Sequence, residues 1–115
     1  DPSLPAAAFD AVISNSLLHH LDDPAVLWET VKRSAKAGAP VMVMDLLRPM
    51  SADVLETLVQ RHAADAPPVL RRDFAASLRA AYRPEEICGQ LDAAGLSRFS
   101  VEVVSDRHVL VWGRR

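Results

Sequence analysis

The sequence predicts an α/β fold of one domain, residues 1–115, in which parallel strands are followed by an antiparallel C-terminal hairpin. Two short apolar segments enclose a segment with helical periodicity, the pattern of a strand, a crossover helix and a second, parallel strand. Near the C-terminus apolar residues alternate with polar ones on both sides of a short polar link, which is typical of a hairpin. A length of 115 residues is enough for one hydrophobic core.

Two segments are expected to form the parallel strands. Residues 9–15 (FDAVISN) and 41–47 (VMVMDLL) are apolar with few interruptions, as in strands that are buried on both faces of a sheet. Between them a helix is predicted from Pro24 to Gly38, because proline favours the first position of a helix and glycine the residue that follows its end. Trp28 lies on the apolar side of this helix and is expected in the core.

Three more helices are expected before the hairpin. The second follows Ser51, a candidate N-cap residue, and ends before the proline pair 67–68. The third covers about residues 69–81, and the fourth begins at Pro84 and closes at Gly95. The hairpin then occupies the rest of the chain.

Composition and charge exclude several classes of protein. Hydrophobic residues make up 50% of the chain and charged residues 24%, so a disordered or fibrous chain is excluded. The net charge is −2 and the basic residues are scattered, which leaves no basic surface for a nucleic acid. The apolar runs are far shorter than the roughly twenty residues of a membrane helix. We therefore predict no nucleic-acid partner and no membrane span.

Cys88 is the one cysteine of the sequence. It is expected to be a small buried side chain in a reducing compartment, the cytoplasm. No zinc-ligand spacing links it to His62 or His108, so no metal site is predicted. The four glycines are not spaced as in phosphate-binding loops, which excludes a complete dinucleotide site or P-loop.

Three segments together resemble the C-terminal half of class I S-adenosylmethionine-dependent methyltransferases, which have a Rossmann-like three-layer sandwich. They are FDAVISN followed by LLHHLDDP, the segment AAYRPEEICGQLDAAGL, and the terminal hairpin. The resemblance covers the whole chain, and it implies that the last strand is antiparallel and inserted beside strand 41–47. The glycine-rich loop and the ribose-binding acidic residue of that family have no counterpart here. The chain is therefore interpreted as a fragment, the C-terminal part of a methyltransferase domain.

The resemblance implies S-adenosylmethionine as the cofactor and assigns residues to it. Asp1 and Leu4, in DPSLP, would line its adenine end, since in the family an acidic residue precedes an LP pair at this spacing. Asn15, Ser16 and Leu17 would lie beside its methionine part. On topological grounds too, α/β sheets bind ligands at the carboxyl ends of their strands.

By the same resemblance the histidine pair should face a small-molecule methyl acceptor. His20 is the candidate catalytic residue, as a substrate contact or a base; the alternative is that it only holds its loop by hydrogen bonds to the backbone. His19, Asp45 and Arg48 are further candidates for contacts with the acceptor. For Asp45 and Arg48 a surface ion pair or a helix cap is the alternative. Methyl transfer requires a base only where the acceptor must lose a proton, and the sequence does not identify the acceptor.

Other interpretations stay open. Without the glycine-rich segment the isolated chain is expected to be inactive, and it would then be a non-catalytic module that forms a homodimer through the exposed edge of its first strand. Short-chain dehydrogenases also have a Rossmann-like sheet, but Tyr82 is followed four positions later by Glu86 instead of their lysine. No G-x-S-x-G motif supports a hydrolase. The segment 69–82 is a candidate lid over the acceptor site.

Overall fold

The computed structural model of the chain describes residues 4–115, so the predicted cofactor residue Asp1 lies outside the described part. Within these residues there are four helices, four strands and a short 3-10 turn at Leu18–His20, here called the histidine turn. The strands are β1 (Val12–Asn15), β2 (Pro40–Leu46), β3 (Ser100–Val103) and β4 (His108–Arg114). The helices are α1 (Ala25–Ser34), α2 (Ala52–Ala63), α3 (Pro68–Ala80) and α4 (Pro84–Ala93).

The four strands form one sheet in the order β1-β2-β4-β3. β1 and β2 are parallel, with Val12 opposite Val41, and α1 is their crossover. β4 is antiparallel to both of its neighbours and is inserted between β2 and β3. This confirms the α/β class, the parallel pair, the terminal hairpin and the place of the last strand beside β2.

The predicted helix starts are confirmed to within one residue, but the predicted end of the first helix at Gly38 is wrong. α1 ends at Ser34 because Ala35 is already extended, and Gly38, with a φ of +79°, belongs to the turn that leads into β2. The Asp23 carboxylate accepts a hydrogen bond from the Ala25 N–H at 3.0 Å, directly before α1. The Ser51 hydroxyl oxygen accepts one from the Val54 N–H at 3.1 Å and caps α2. After α4, Gly95 has a φ of +75°, which a glycine adopts without strain.

One face of the sheet, the covered face, is buried under α1 and α4. Its residues alternate with those of the other face along each strand, and together with the helices they form the main core. Trp28, fully buried as expected, donates a hydrogen bond from its ring N–H to the Gln90 side chain at 3.0 Å. The residues of β2 and β4 on this face are Val41, Val43, Val109 and Val111.

The opposite face, the open face, is largely uncovered. Ile13, Met42 and Trp112 are register neighbours on it and are 76%, 47% and 42% exposed. The expectation that residues 9–15 form a strand buried on both faces is therefore wrong for this structure. The strand is also shorter, and Phe9 contributes only an isolated bridge to Ala35. The physical reason is that β1 is the edge strand and no helix lies over its outer face in residues 4–115.

Helices α2 and α3 form a second, smaller core at one end of the sheet. Leu55, Leu58, Val59 and Leu78 are buried against each other in this cluster. Leu46, which belongs to the open face, packs on it, so the cluster covers that face only at the carboxyl end of β2. α3 also lies against the histidine turn, and its role as a lid stays a prediction.

The prediction that Cys88 is buried is wrong. Cys88 is exposed and not buried, because Ile87 and Leu91, one turn apart, turn the apolar side of α4 to the sheet and leave the next position at the surface. Among the helices of residues 4–115, none combines the length and apolar character that a bilayer crossing requires.

Candidate functional site

The carboxyl ends of β1 and β2 lie side by side and bring most of the predicted site residues to one edge of the sheet. β1 ends at Asn15, and the Ser16 N–H that follows donates to the Met44 carbonyl at 2.9 Å. Ser16 has a φ of +59°, a left-handed conformation that costs a non-glycine residue free energy. The chain therefore leaves the strand through a strained turn, a feature that clusters at ligand sites.

An open cavity of about 620 Å³ runs along the free edge of β1 beside this turn. Its lining includes three of the predicted cofactor residues, Leu4, Asn15 and Leu17. Ser14 also lines it, and its buried hydroxyl has no hydrogen-bond partner within residues 4–115. The volume is in the range of small-molecule sites, and an unpartnered buried hydroxyl leaves a polar contact to be made.

His19 and Asp45 form a buried pair next to the turn. The Asp45 carboxylate accepts two hydrogen bonds from His19, one from the backbone N–H at 2.7 Å and one from ring Nδ1 at 2.5 Å. The side chains are only 3% and 2% exposed. Asp45 is therefore neither a surface ion pair nor a helix cap, and it fixes the histidine turn to β2 across 26 residues of sequence.

His20 lies above that pair and is exposed. Its ring centroid is 4.0 Å from that of His19, with the two planes tilted by 39°. In the part of the chain that the structure describes, no hydrogen bond links its ring to the backbone, so the loop-holding role proposed as an alternative falls to His19. The proposed substrate contact of His20 stays a prediction.

Arg48 follows β2 and is engaged at the surface. Its guanidinium lies 2.8 Å from the Glu86 carboxylate, and its carbonyl accepts a hydrogen bond from the Arg83 guanidinium at 2.7 Å. The Glu86 carboxylate also accepts a hydrogen bond from the Arg83 backbone N–H. This bond lowers the pKa of Glu86 more than the contact with Arg48 does. The surface ion pair expected as one alternative is thus present, and it ties the end of β2 to the start of α4.

A second charged cluster was not predicted. The Asp106 carboxylate, in the link between β3 and β4, contacts His62 at 3.0 Å, Arg61 at 2.7 Å and Arg107 at 2.9 Å. The hydrogen bonds from His62, Arg61 and Arg107, in that order, hold the pKa of Asp106 well below its usual range. This cluster attaches α2 to the hairpin. Residues 61–62 and 106–107 are over 40 positions apart, so no local sequence pattern predicts this cluster.

One signal for the His19–Asp45 pair was present in the sequence. Asp45 interrupts an otherwise apolar strand, and a carboxylate inside a sheet needs a hydrogen-bonding partner. Which side chain supplies it depends on the fold. No group of three histidine, cysteine, aspartate or glutamate side chains within residues 4–115 is placed to hold a metal ion.

A family of known proteins matches part of the sequence. The family model described as "Methyltransferase domain" matches residues 1–43, which include β1, the histidine turn, α1 and the first half of β2. None of the curated proteins matches the sequence.

Solved structures match nearly the whole chain. A SAM-dependent methyltransferase from Aquifex aeolicus has a TM-score of 0.60 and 20% identity, over 97% of this chain and 48% of its own. A candidate methyltransferase from Bacillus halodurans C-125 has a TM-score of 0.60 and 15% identity, over 97% and 66%. An arsenic(III) S-adenosylmethionine methyltransferase from Chlamydomonas reinhardtii has a TM-score of 0.58 and 19% identity, over 97% and 38%.

At these identities the structural matches show the fold. The chain spans about half of the Aquifex protein and two thirds or less of the other two. The resemblance inferred from the sequence is confirmed in this form: residues 4–115 have part of the fold of class I S-adenosylmethionine-dependent methyltransferases, and residues 1–43 match the methyltransferase domain model.

Proposed function

We propose that this chain is the C-terminal part of a methyltransferase domain that transfers a methyl group from S-adenosylmethionine to a small-molecule acceptor. The observation that carries the proposal is the strained turn at Ser16, which opens beside the cavity at the end of β1 in a fold shared with methyltransferases. Ligands of α/β sheets bind at this end of the strands. The free thiol of Cys88 is compatible with the cytoplasm, and that location remains a prediction.

The residues at the cavity suit S-adenosylmethionine. Leu4 and Leu17 offer apolar surface, Asn15 an amide, and Ser14 a buried hydroxyl without a partner among residues 4–115. When bound, the cofactor supplies a methyl group activated by its sulfonium. Asn15, Ser16 and Leu17 would hold its methionine part, and Leu4 with Asp1 its adenine end.

The acceptor would approach from the side of the histidine turn. There His20 is exposed, while His19 and Asp45 lie beneath it. Arg48 stands at the end of β2, engaged with Glu86, and would contact an acceptor only at the margin of this region. Because the rest of the cofactor site has no counterpart in this sequence, the 115-residue chain alone is expected to be inactive.

Calorimetric titration tests the proposal. S-adenosylmethionine is titrated into the 115-residue chain and into the longest polypeptide that contains this chain together with upstream residues. We expect binding by the longer polypeptide and a loss of roughly tenfold or more in affinity in its Asn15→Ala variant, with a Gln60→Ala control unchanged. Gln60 is exposed on α2, where its side chain donates a hydrogen bond to Glu56. Absence of binding in both polypeptides overturns the proposal.

The second candidate function is a non-catalytic module that forms a homodimer through β1. The observation in its favour is that β1 is an edge strand and that its own residue Ile13 is 76% exposed. Sedimentation equilibrium of the 115-residue chain tests it. A dimer that Ile13→Lys dissociates supports this function, and a monomer over the accessible concentration range refutes it.

A further inference from the structure

Asp45 is held in one orientation by three hydrogen bonds. Two come from His19, and the third comes from the Leu46 N–H at 2.8 Å to the same oxygen that His19 Nδ1 contacts. The carboxylate is an acceptor at each of these contacts, so His19 Nδ1 must carry the proton that it shares with Asp45. In neutral His19 the other ring nitrogen, Nε2, is therefore left with a free lone pair.

The structure gives this Nε2 no partner within residues 4–115, and the atom is buried. An unpartnered buried nitrogen costs free energy, and such atoms in folded proteins call for an explanation. A ring that served only to hold the histidine turn would need Nδ1 and its backbone N–H alone. The free lone pair points to a partner that arrives with the substrate.

We infer that His19, oriented by Asp45, takes a proton from the methyl acceptor, and that the acceptor is a hydroxyl compound un-ionised at neutral pH, because methyl transfer requires a base only where the acceptor must lose a proton. The inference rests on the proposed function. In the step, the acceptor O–H proton moves to His19 Nε2 and the oxygen forms a bond to the methyl carbon. The bond from methyl to sulfur breaks, and its electron pair stays on the sulfur. Asp45 stabilises the imidazolium that results.

Access to Nε2 requires local movement. His20 is exposed, its ring has its centroid 4.0 Å from that of His19 and covers that ring on one side, and α3 lies against the histidine turn. The His20 ring has no hydrogen bond to hold it within the described residues. An acceptor that displaces this ring would reach the pair from the surface, which makes His20 a contact on the path to His19.

Two substitutions separate a base from a tether. His19→Asn retains a side-chain N–H that can donate to Asp45 but has nothing at the place of Nε2, so the histidine turn stays anchored and the proton acceptor is removed. His62→Asn is the matched control. It makes the same change in a histidine whose contacts lie with Asp106, away from this pair.

The experiment uses the longest polypeptide that contains the chain. It measures the binding of S-adenosylmethionine by calorimetry and the methylation of a series of probe compounds. The probes are phenol, which is un-ionised at neutral pH, 4-nitrophenol, which is largely ionised at pH 8, and a simple thiol. We expect His19→Asn to lower kcat on phenol by about 10²- to 10⁴-fold. On 4-nitrophenol the loss should stay below about tenfold, and the cofactor affinity and the His62→Asn rates should be unchanged.

Each other outcome decides against the inference. Equal losses on phenol and 4-nitrophenol, or none, show that His19 does not take the proton. A wild-type protein that binds the cofactor but methylates only the thiol, or no probe, overturns the hydroxyl class. A wild-type protein that does not bind S-adenosylmethionine overturns the proposed function itself, and calorimetry distinguishes that result from the others.

Discussion

The two faces of the sheet are formed by the same strands, but one face is buried and the other is largely exposed. On the covered face Val43 and Val111 are 1% exposed, while on the open face the neighbouring Met42 and Trp112 are 47% and 42% exposed. Because side chains alternate along a strand, these residues differ by one position in sequence. The difference lies in what packs on each face: α1 and α4 lie on one, while within residues 4–115 the other carries only the α2–α3 cluster at its far end.

This difference teaches how far an apolar run can be interpreted. The continuous apolar character of β1 and β2 indicates residues suited to burial on both sides. Burial itself depends on a partner, and in residues 4–115 the open face of Ile13, Met42 and Trp112 has none over most of its area. Exposed apolar surface of this kind marks a contact surface. An apolar run thus predicts correctly that both faces of a strand are apolar, but it does not predict what packs on each face.

The largest expected effect compares a tryptophan on each side of the sheet. Trp28→Ala removes a fully buried ring from the covered side and should lower the free energy of unfolding of the 115-residue chain by about 3–5 kcal/mol. Trp112→Ala, on the open face, should cost less than about 1 kcal/mol. Urea denaturation of the two variants measures both. A loss at Trp112 as large as that at Trp28 would show that the open face is covered in solution.

The next effect concerns Gly113, the neighbour of Trp112 on the covered face. A Cβ at this position would meet the Phe99 ring at 2.7 Å, and Phe99 is buried and cannot move away freely. Gly113→Ala should therefore destabilise the chain by about 1–3 kcal/mol. Gly89→Ala is the control: it faces open space within α4, where alanine stabilises a helix by up to about 1 kcal/mol. Thermal melts that show both variants unchanged would contradict the packing at Phe99.

The sequence predicted the elements better than the contacts between them. The cap at Ser51 is a local signal, read within four residues, and it is confirmed. Asp23 also accepts a hydrogen bond at the start of α1, although the N-cap residue there is Pro24. The place of β4 beside β2 followed from the family resemblance. The contact of His19 with Asp45 spans 26 residues, and the exposure of Cys88 depends on which side of α4 meets the sheet. Both are properties of the assembled fold, which local periodicity does not encode.

A smaller effect is expected at the end of β1, where the open edge meets the candidate site. Ser16→Gly relieves the left-handed backbone and should raise the free energy of unfolding by up to about 1 kcal/mol. Ser97→Gly, in an exposed turn without positive φ, should lower it slightly because glycine only adds freedom to the unfolded chain. Denaturant midpoints that move in the same direction for both variants would show that Ser16 is not strained.

The smallest effect probes the covered end of the open face. His108 pairs with Leu46 there, and burial, then the Arg107 charge, lower the pKa of His108 below its usual value. In the unfolded chain His108 binds a proton near pH 6.5, and the folded chain binds it only at lower pH. Protonation therefore favours unfolding, and stability should fall as the pH drops from about 7 to 5.

His108→Gln should flatten that decline, since the amide does not titrate, and should leave the stability above pH 7 almost unchanged. The lowered pKa of Asp106 acts in a different range, because its stabilisation is lost only as the pH falls below the ordinary value of an aspartate, near 4. The difference between the melting temperatures of the wild type and of His108→Gln between pH 5 and 7.5 thus isolates the contribution of His108. If the wild-type and His108→Gln curves run parallel, the end of the open face next to the α2–α3 cluster is as exposed as the region around Ile13.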